Sequence, residues 1–362
     1  TPADADGSTD GLLARFEPRH TPALPPGGYR PAPPLADRHA LIIGAGLAGC
    51  VATWALCRAG WRVTLLDRQA QPAQEASGNP GGMFHAIVHG EDGIHARAHR
   101  AAALALVHAV QPWIDDGLLA GQLQGLLRLD PKTTHAEAQA LISKLALPDD
   151  YVQWLDQADA ADVAGMPVNS GGWLFKQAGW LHPAGLARAL LDEAQTWAQR
   201  HGQSLTLKFG QAVDCMARSD DGWAAWGAGA DSSPAKPLAQ APHLVVTSAN
   251  GVNHLLQSLP ADQAVPEQLL TAIRGQITAL SLDSTRQYAR APHLPVAGSG
   301  YALTLPDGRL LCGATTQHHD DCPDVRLKDH TYNLGQAWKL GAIQAESNEQ
   351  AESLIQTLAQ DP

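Results

Sequence analysis

The sequence has few cysteines, few basic residues and no long apolar run, and each shortage argues against a class of protein. Only five cysteines occur in 362 residues. They are scattered and form no C-x-x-C pair, which argues against a disulfide framework and against a zinc site. No apolar stretch approaches the length needed to cross a bilayer, and the N-terminus lacks a signal-peptide pattern. The sequence therefore predicts a cytoplasmic protein with no membrane partner.

Charge and histidine content argue against two further classes, nucleic-acid-binding proteins and metalloproteins. The chain has 25 basic and 36 acidic residues, which gives a net charge of −11. Because phosphate contacts need clustered Lys and Arg, this average disfavours a nucleic-acid partner, although a local basic patch is compatible with one. Four of the sixteen histidines, His85, His89, His95 and His99, are close in sequence. They show no recognisable ligand pattern, so no metal is predicted.

The most informative segment is a strand-turn-helix unit over residues 39–60. Residues 41–43 form a short apolar run that is typical of a buried parallel strand. Residues 47–59 predict a helix that Gly60 can end, and a second strand is predicted over 61–66.

The turn of this unit carries three glycines in G-x-G-x-x-G spacing. Gly44 suits a tight turn, Gly46 lets the backbone approach a pyrophosphate, and Gly49 lets the helix lie close to the strand. Asp67, at the end of the second strand, can accept hydrogen bonds from the ribose hydroxyls of an adenosine. An ADP-containing cofactor is therefore predicted, with a merely structural turn as the alternative.

The rest of the chain predicts two kinds of structure. Residues 1–37 carry eight prolines and are interpreted as a linker from an upstream domain. The loop 76–82 is rich in small residues, which allow backbone to approach a ligand. Helices are predicted over 95–128, 135–164 and 181–201, and strands over 205–209 (continued by 211–214), 243–251, 274–282, 300–304 and 310–315. Residues 216–237 predict an exposed hairpin or meander. The later strands alternate and are joined by short turns, which favours an antiparallel sheet in a second domain.

Several segments together resemble a known family. They are the G-A-G-L-A-G turn, the loop 76–82, Gly179–Pro183, the S-A-N-G strand end at 248–251 and Arg274-Gly275-Gln276. These segments resemble the D-amino-acid oxidase and glycine oxidase superfamily of flavoproteins. Within it they are similar to the oxidase half of the bifunctional tRNA 5-methylaminomethyl-2-thiouridine biosynthesis proteins. Residues 14–19 and the proline-rich stretch after them look like the join to the methyltransferase half of those proteins.

The resemblance implies FAD as cofactor and an α/β (α+β overall) fold of D-amino-acid oxidase type. A Rossmann-like FAD-binding domain would comprise residues 38–95 and 180–262. A mainly antiparallel substrate domain would comprise 96–179 and 263–340. Residues 341–362 are left as an uncertain tail, because they do not resemble the segment that closes over the flavin in the family.

The resemblance also implies the residues of the flavin site. The glycine turn would hold the pyrophosphate, Asp67 the ribose, and Val213 the adenine through its backbone. For Val213, a role as a core strand residue is an equal alternative. The implied cofactor-binding residues are Gly44, Ala45, Gly46, Leu47, Ala48, Gly49, Asp67, Arg68, Ala76, Ser77, Gly78, Asn79, Gly82, Met83, Val213, Ala249 and Gly251.

The implied reaction is oxidation of the carboxymethylamino group on the wobble uridine of tRNA, with release of glyoxylate. The linked methyltransferase domain, using S-adenosylmethionine, would then methylate the amine. Since the flavin carries the redox step, no catalytic side chain is predicted. Arg274 is the candidate for the substrate carboxylate, with Gln276 and Tyr301 lining the pocket. A structural ion pair is the alternative for Arg274, and helix capping is the alternative for His182.

Two other functions fit the same motifs. A small-molecule amine or amino-acid oxidase of the glycine oxidase type would need no tRNA, and the acidic net charge favours it. A non-catalytic remnant that binds flavin would account for the unmatched C-terminal residues.

Overall fold

The computed structural model describes residues 34, 37–228 and 236–360. The predicted linker, residues 1–37, lies outside this part of the chain apart from positions 34 and 37. The contacts divide the chain after Asp37, and the described residues from Arg38 onward form one compact unit.

Helices and strands alternate through the first half of this unit, and short strands dominate the second. The helices are α1 (Leu47–Arg58), α2 (Ile94–Asp115), α3 (His135–Leu145), α4 (Gln157–Ala164), α5 (Pro183–Arg200), α6 (Val252–Gln257), α7 (Leu282–Tyr288), α8 (Leu327–Lys339) and α9 (Asn348–Gln360). The strands are β1 (His39–Ile43), β2 (Arg62–Leu66), β3 (Gly82–Phe84), β4 (Gly121–Gln122), β5 (Leu126–Leu129), β6 (Val152–Leu155), β7 (Gly172–Phe175), β8 (Gly179–Leu181), β9 (Leu205–Lys208), β10 (Cys215–Ser219), β11 (Gly222–Trp226), β12 (Ala239–Ala241), β13 (His243–Val246), β14 (Ile273–Arg274), β15 (Thr278–Ala279), β16 (Val296–Ala297), β17 (Tyr301–Thr304), β18 (Leu310–Gly313) and β19 (Gln317–His318).

A four-stranded parallel sheet carries the glycine motif. Its strand order is β13-β1-β2-β9, and all three pairings are parallel. Helices α1 and α5 cover one face, where Ile42, Leu65 and the buried Cys50 and Cys57 pack together. The antiparallel strands β10 to β12 and helix α6 cover the other face. Burial on both faces explains why strand β1 is almost entirely apolar.

A seven-stranded sheet forms the second large layer. Its order is β15-β18-β17-β16-β5-β7-β6, and every pairing in it is antiparallel except that of β16 with β5. Helices α4, α8 and α9 cover one face through a large apolar cluster that includes Leu127, Leu310 and Leu334. The opposite face carries Leu126, Phe175 and Trp173 and contacts strand β3. Smaller sheets are β3-β8-β4 and β14-β19.

The predicted fold class is confirmed, as are helix α1, strands β1, β2, β9, β17 and β18, and the hairpin of β10 with β11. The strands of the parallel sheet come from residues 38–95 and 180–262, and those of the seven-stranded sheet from 96–179 and 263–340. The assignment of these ranges to two domains stays a prediction. Within the uncertain tail 341–362, helix α9 packs on α8 and buries Ile355 and Leu358.

The predicted helix over 95–128 is wrong after Asp115. The alanine-rich sequence does form α2, but Gly117 takes a left-handed φ of 70° and Gly125 one of 112°. Residues 126–129 then pair with β7 and with β16, and Leu126 and Leu127 become fully buried. Tertiary pairing therefore overrides local helix propensity in this segment.

Four other predicted segments also differ from the structure. Strand β6 interrupts the predicted helical stretch 135–164, because Val152 and Trp154 pack into the core beside Trp173. The predicted strand 274–282 consists of two short pieces, and Ser281 caps the start of helix α7. Residues 211–214 form no strand, and the strand predicted over 243–251 ends at Val246.

Candidate functional site

A cleft of about 380 Å³ opens at the carboxyl ends of strands β1, β2 and β13. In parallel α/β sheets this edge is where ligands bind. Nine of the predicted cofactor-binding residues line it: Gly44, Gly46, Asp67, Arg68, Ala76, Ser77, Val213, Ala249 and Gly251.

Gly44 makes the tight turn between β1 and α1. Its φ is +105°, and a Cβ at this position would lie 2.6 Å from the carbonyl oxygen of Thr247. Its amide donates to the Leu66 carbonyl at 2.8 Å. A Cβ at Gly49 would overlap the Gly44 backbone and lie 2.8 Å from Thr247 Oγ1. Both glycines are therefore required by the packing of helix α1 against the end of the sheet.

The N-terminus of helix α1 faces the cleft without a side-chain cap. Gly46 is the N-cap residue, and no acidic residue lies in the first turn. A Cβ at Gly46 would have one close neighbour, Ser77 Oγ at 3.5 Å, so the backbone is open to a ligand there. The Leu47 amide donates to the same hydroxyl at 3.3 Å. Unsatisfied helix N–H groups and the positive end of the dipole suit an anion such as a pyrophosphate.

Asp67 is anchored by backbone amides and retains acceptor capacity. Its Oδ2 accepts from the Ala45 amide at 2.5 Å, and its Oδ1 accepts from the Gln69 amide at 2.7 Å. Each carboxylate oxygen can accept a second hydrogen bond, so the group can also bind ribose hydroxyls. Arg68 is paired with Glu75 at the rim. The hydrogen bond from Gln69 and the Arg68 cation lower the pKa of Glu75, although desolvation opposes them.

The opposite wall of the cleft comes from Val213 and from the turn after β13. Ala249 has a φ of 48°, and residues 249–251 form a single 3-10 turn. Ser248 Oγ is buried and has no hydrogen-bond partner among the described residues. A polar group of a ligand, or a water held with it, would complete this unpaired hydroxyl. The open turn at Gly46, the amide-bound Asp67 and this hydroxyl together fit a dinucleotide.

The other predicted cofactor-binding residues do not line this cleft. Ala45 is buried behind the turn, and Leu47, Ala48 and Gly49 belong to helix α1. Gly78 and Asn79 close the 3-10 turn beside Ser77, where Asn79 Nδ2 donates to the Ala76 carbonyl at 3.3 Å. Gly82 and Met83 lie on strand β3, toward the seven-stranded sheet.

Arg274 lies at the centre of a buried polar network. Its Nε donates to the Cys322 carbonyl at 2.8 Å, Nη1 donates to Gln317 and forms a buried ion pair with Asp329, and Nη2 donates to Gln276 and to the Asp324 carbonyl. All five N–H groups of a guanidinium are engaged in this way. The geometry supports the structural ion pair, and the role of Arg274 as substrate anchor stays a prediction.

Gln276 belongs to the same network, whereas Tyr301 does not. The Gln276 side chain accepts from Arg274 and donates to the Arg326 carbonyl at 2.9 Å. The Tyr301 phenol lies between two apolar clusters and has no hydrogen-bond partner among the described residues. Burial, with a smaller contribution from Cys312, raises the pKa of Tyr301 to about 12.

His182 is the N-cap of helix α5. Its Nδ1 accepts from the Gly185 amide at 3.1 Å, which is the capping role that the sequence offered as an alternative. Burial lowers its pKa, in keeping with a neutral acceptor. Among the described residues, no group of three His, Cys, Asp or Glu side chains is arranged to hold a metal ion.

Sequence reasoning missed Thr247. Its Oγ1 lies 2.9 Å from the Ile43 carbonyl and 2.8 Å from the Gly44 carbonyl, so it ties the glycine turn to the end of β13. The only signal was its position beside the predicted S-A-N-G strand end.

In the described part of the chain, no helix combines the length and apolarity needed to cross a bilayer.

Comparison with known families gives one match over most of the chain. Residues 39–341 match the model of the FAD dependent oxidoreductase family. The chain is 41% identical over 347 residues to the tRNA 5-methylaminomethyl-2-thiouridine biosynthesis bifunctional protein MnmC of Methylibium petroleiphilum, which covers 96% of this chain and 50% of that protein. It is 36% identical over 316 residues to the protein of that name from Paraburkholderia phytofirmans, with 84% and 44% covered. The chain spans about half the length of these curated relatives.

Solved structures show the same fold at low sequence identity. Glycine oxidase from Bacillus cereus superposes with a TM-score of 0.63 at 14% identity, with 85% of this chain and 81% of that chain covered. Iminodiacetate oxidase from Chelativorans superposes with a TM-score of 0.60 at 19% identity, with 83% and 78% covered.

Proposed function

The chain belongs to the FAD-dependent oxidoreductase family, and on that premise we propose that it oxidises the carboxymethylaminomethyl group on the wobble uridine of tRNA. The predicted family resemblance and the predicted FAD cofactor are confirmed by the family match. The observation that carries the proposed substrate is the 41% identity, over 96% of this chain, to a protein named for tRNA 5-methylaminomethyl-2-thiouridine biosynthesis.

The proposed reaction breaks one C–H and one N–H bond of the glycine-like substituent. The secondary amine becomes an imine, and water then cleaves the C=N bond to give glyoxylate and an aminomethyl(-2-thio)uridine. FAD, when bound, supplies the two-electron acceptor, with dioxygen as the final oxidant. A linked methyltransferase domain that uses S-adenosylmethionine would then methylate the primary amine, and the setting would be the cytoplasm.

The protein's own contribution is to bind and orient. The glycine turn and the N-terminus of α1 would hold the pyrophosphate, Asp67 the ribose, and the backbone near Val213 the adenine. The segment from Ser77 to Met83 leads from this cleft to the seven-stranded sheet. We assign FAD binding to residues 38–95 and 180–262 and substrate binding to 96–179 and 263–340. Holding a methylene in line with an acceptor supplies much of the rate without an acid-base side chain.

A single comparison of substrates tests the proposal. Purified protein loaded with FAD is mixed without oxygen with tRNA that carries the carboxymethylaminomethyl group, with glycine or with sarcosine, and bleaching of the flavin absorbance is followed. We expect bleaching by the tRNA, together with loss of the carboxymethyl group in nucleoside mass spectrometry. Bleaching by glycine but not by tRNA would instead establish the small-molecule oxidase. A protein that binds FAD but is reduced by none of the three would be a non-catalytic remnant.

A further inference from the structure

Three of the four histidines that are close in sequence also lie close together in the structure, beside an arginine. The imidazole rings of His95 and His99, both on helix α2, are in edge-to-face contact with their centroids 4.4 Å apart. His85 follows strand β3, and its ring packs against Phe175 with a centroid distance of 5.3 Å. Burial, with smaller contributions from Arg128 and His99, lowers the pKa of His85. His85 is therefore within electrostatic reach of both groups.

Arg128 lies on the face of the seven-stranded sheet that helix α2 covers. Leu127 and Leu129 pack into the cluster beneath α8 and α9. Leu126 packs into the cluster on the opposite face, which also contains Ala103 of helix α2. Because side chains alternate along a strand, Arg128 lies on the same side of β5 as Leu126. The arginine and the helix therefore contribute to one surface.

His95, His99 and Arg128 are all exposed, and we call these three residues the α2 patch. Apart from the contact between the two rings, no ion pair or hydrogen bond engages their side chains within the part of the chain that the structure describes. This differs from Arg274, whose N–H groups are all engaged within the chain. The guanidinium of Arg128 and the two imidazole rings are therefore available to a ligand.

The charge around the α2 patch differs from the average of the chain. The whole chain has 36 acidic and 25 basic residues, but residues 76–114 contain only two acids, alongside two arginines and five histidines. Of these acids, Glu91 is exposed and Asp92 forms an ion pair with Arg100 at 2.5 Å. Asp130, which follows β5, accepts three hydrogen bonds from within the chain. An anionic ligand therefore meets less opposing charge here than the net charge of the protein implies.

The α2 patch is next to the segment that leaves the cofactor cleft. Ser77 lines the cleft. Met83 and Phe84 of strand β3 pack against the apolar cluster that contains Leu126, and His85 comes directly after them. A large substrate whose reacting group reaches the cofactor can therefore extend over the α2 patch.

The side chains of the α2 patch suit single-stranded RNA. Unpaired nucleobases stack on histidine rings and on guanidinium planes, and a guanidinium binds a phosphate through two parallel N–H donors. In duplex RNA the base faces are covered by their neighbours, so a duplex offers the patch its phosphates alone. The patch combines ring surfaces for stacking with one strong phosphate donor, which favours a loop over a stem.

We propose that the α2 patch binds the single-stranded anticodon loop of the tRNA substrate. In this arrangement His95 and His99 stack on a base next to the modified uridine, and Arg128 binds a phosphate of the same loop. The assignment rests on the proposed function for the identity of the RNA. It also reconciles an RNA partner with the net charge of −11, because the contact is local.

The stacking contact is tested with the double variant His95→Ala/His99→Ala and with His108→Ala as matched control. His108 is also exposed on α2, but nine residues at 3.6 residues per turn place it on the opposite side of the helix from His99. A fluorescently labelled RNA hairpin with the sequence of an anticodon stem and loop is titrated with FAD-loaded protein, and its anisotropy is recorded. We expect the Kd to rise about tenfold in the double variant, the effect of losing one base stack.

The controls of this experiment separate stacking from a general loss of binding. The His108→Ala variant should bind the hairpin with the Kd of the wild type. A blunt RNA duplex of the same length should bind the double variant and the wild type alike, because it offers no unpaired base. The FAD content should be the same in all variants, since none of the three histidines lines the cofactor cleft.

The phosphate contact is tested with Arg128→Gln and with Arg286→Gln as control. Arg286 is an exposed arginine on α7, a helix that packs through Tyr288 on the opposite face of the sheet. The Kd for the hairpin is measured over a series of salt concentrations. Loss of one phosphate contact should lower the slope of log Kd against log salt concentration by about 0.7, the value for a single strand. The control should keep the slope of the wild type.

Three results would overturn the α2 patch as an RNA surface. They are wild-type affinity for the hairpin in the double variant, equal weakening of hairpin and duplex binding in that variant, and an unchanged salt slope in Arg128→Gln.

The two proposals fail in different ways. If the wild type oxidises tRNA but hairpin binding does not depend on His95, His99 or Arg128, the α2 patch is wrong while the proposed function stands. If hairpin binding depends on these residues but the wild type does not oxidise tRNA, the RNA surface stands and the proposed reaction is wrong.

Discussion

The cofactor cleft and the buried network around Arg274 are built from the same chain in opposite ways. Most of the cleft comes from one continuous segment, since Gly44, Asp67 and Ser77 lie within 34 residues of sequence. The network joins Arg274 to Gln317 and Asp329, which lie 43 and 55 positions later in the sequence. A site of the first kind leaves a motif in the sequence. A site of the second kind leaves only single residues that no local pattern connects.

The largest expected effect concerns the buried network around Arg274. In this network an ion pair with Asp329 holds the arginine inside the fold. Asp329→Ala should lower the free energy of unfolding by about 3–5 kcal/mol, because it leaves the Arg274 charge buried without its partner. Asp307→Ala, in the exposed pair with Arg309, should cost less than about 1 kcal/mol. Urea denaturation measures the free energy of unfolding of both variants. Similar losses in the two variants would remove the distinction between Arg274 and a surface ion pair.

Gly44→Ala tests the local construction of the cleft. The left-handed φ and the overlap with the Thr247 carbonyl should together cost about 2–4 kcal/mol and reduce the FAD content of the purified protein. Gly117→Ala is the control, because its φ is also positive but a Cβ there would have no neighbour within 4 Å. That variant should lose about 1–2 kcal/mol from backbone strain and retain FAD. Thermal unfolding measures the stability of both variants, and the ratio of flavin to protein absorbance measures their FAD content. Equal FAD loss in both variants would contradict a specific role of Gly44 in the cleft.

The smallest expected change is in cofactor affinity. Asp67→Asn keeps the shape of the side chain but removes its charge, so the Kd for FAD should rise about tenfold to a hundredfold. Asp214→Asn alters another acid of the cleft, one that is exposed and paired with His254 at 3.3 Å, and should change the Kd by less than about threefold. Fluorescence titration of FAD-free protein measures both. An Asp67→Asn variant with the affinity of the wild type would exclude ribose binding by Asp67.

The sequence was informative where structure is local. Strand β1, the glycine turn, helix α1 and Asp67 follow from spacing and apolar pattern within 30 residues, and the structure places these elements as predicted. Thr247 could not be inferred in the same way. Its hydrogen bond to the Gly44 carbonyl joins residues more than 200 positions apart, and its place beside the S-A-N-G strand end does not indicate this partner.

Strand β5 was missed for a different physical reason. Most of it falls in the segment 95–128, for which the alanine-rich composition predicts a helix. On a strand, successive side chains point to opposite faces, as Leu126 and Leu127 do, whereas a helix has a period of 3.6 residues. Only the pairing of residues 126–129 with β7 and β16 converts the segment to a strand.

The contact of Thr247 with the glycine turn also bears on the order of events during synthesis. The turn at Gly44 is synthesised 203 positions before Thr247, the residue whose carbonyl and hydroxyl fix it. Strand β13, which completes one side of β1, arrives with it. The nascent chain therefore carries a recognisable nucleotide motif before it has the residues that complete the nucleotide site, and we expect stable flavin binding only after β13 has been made.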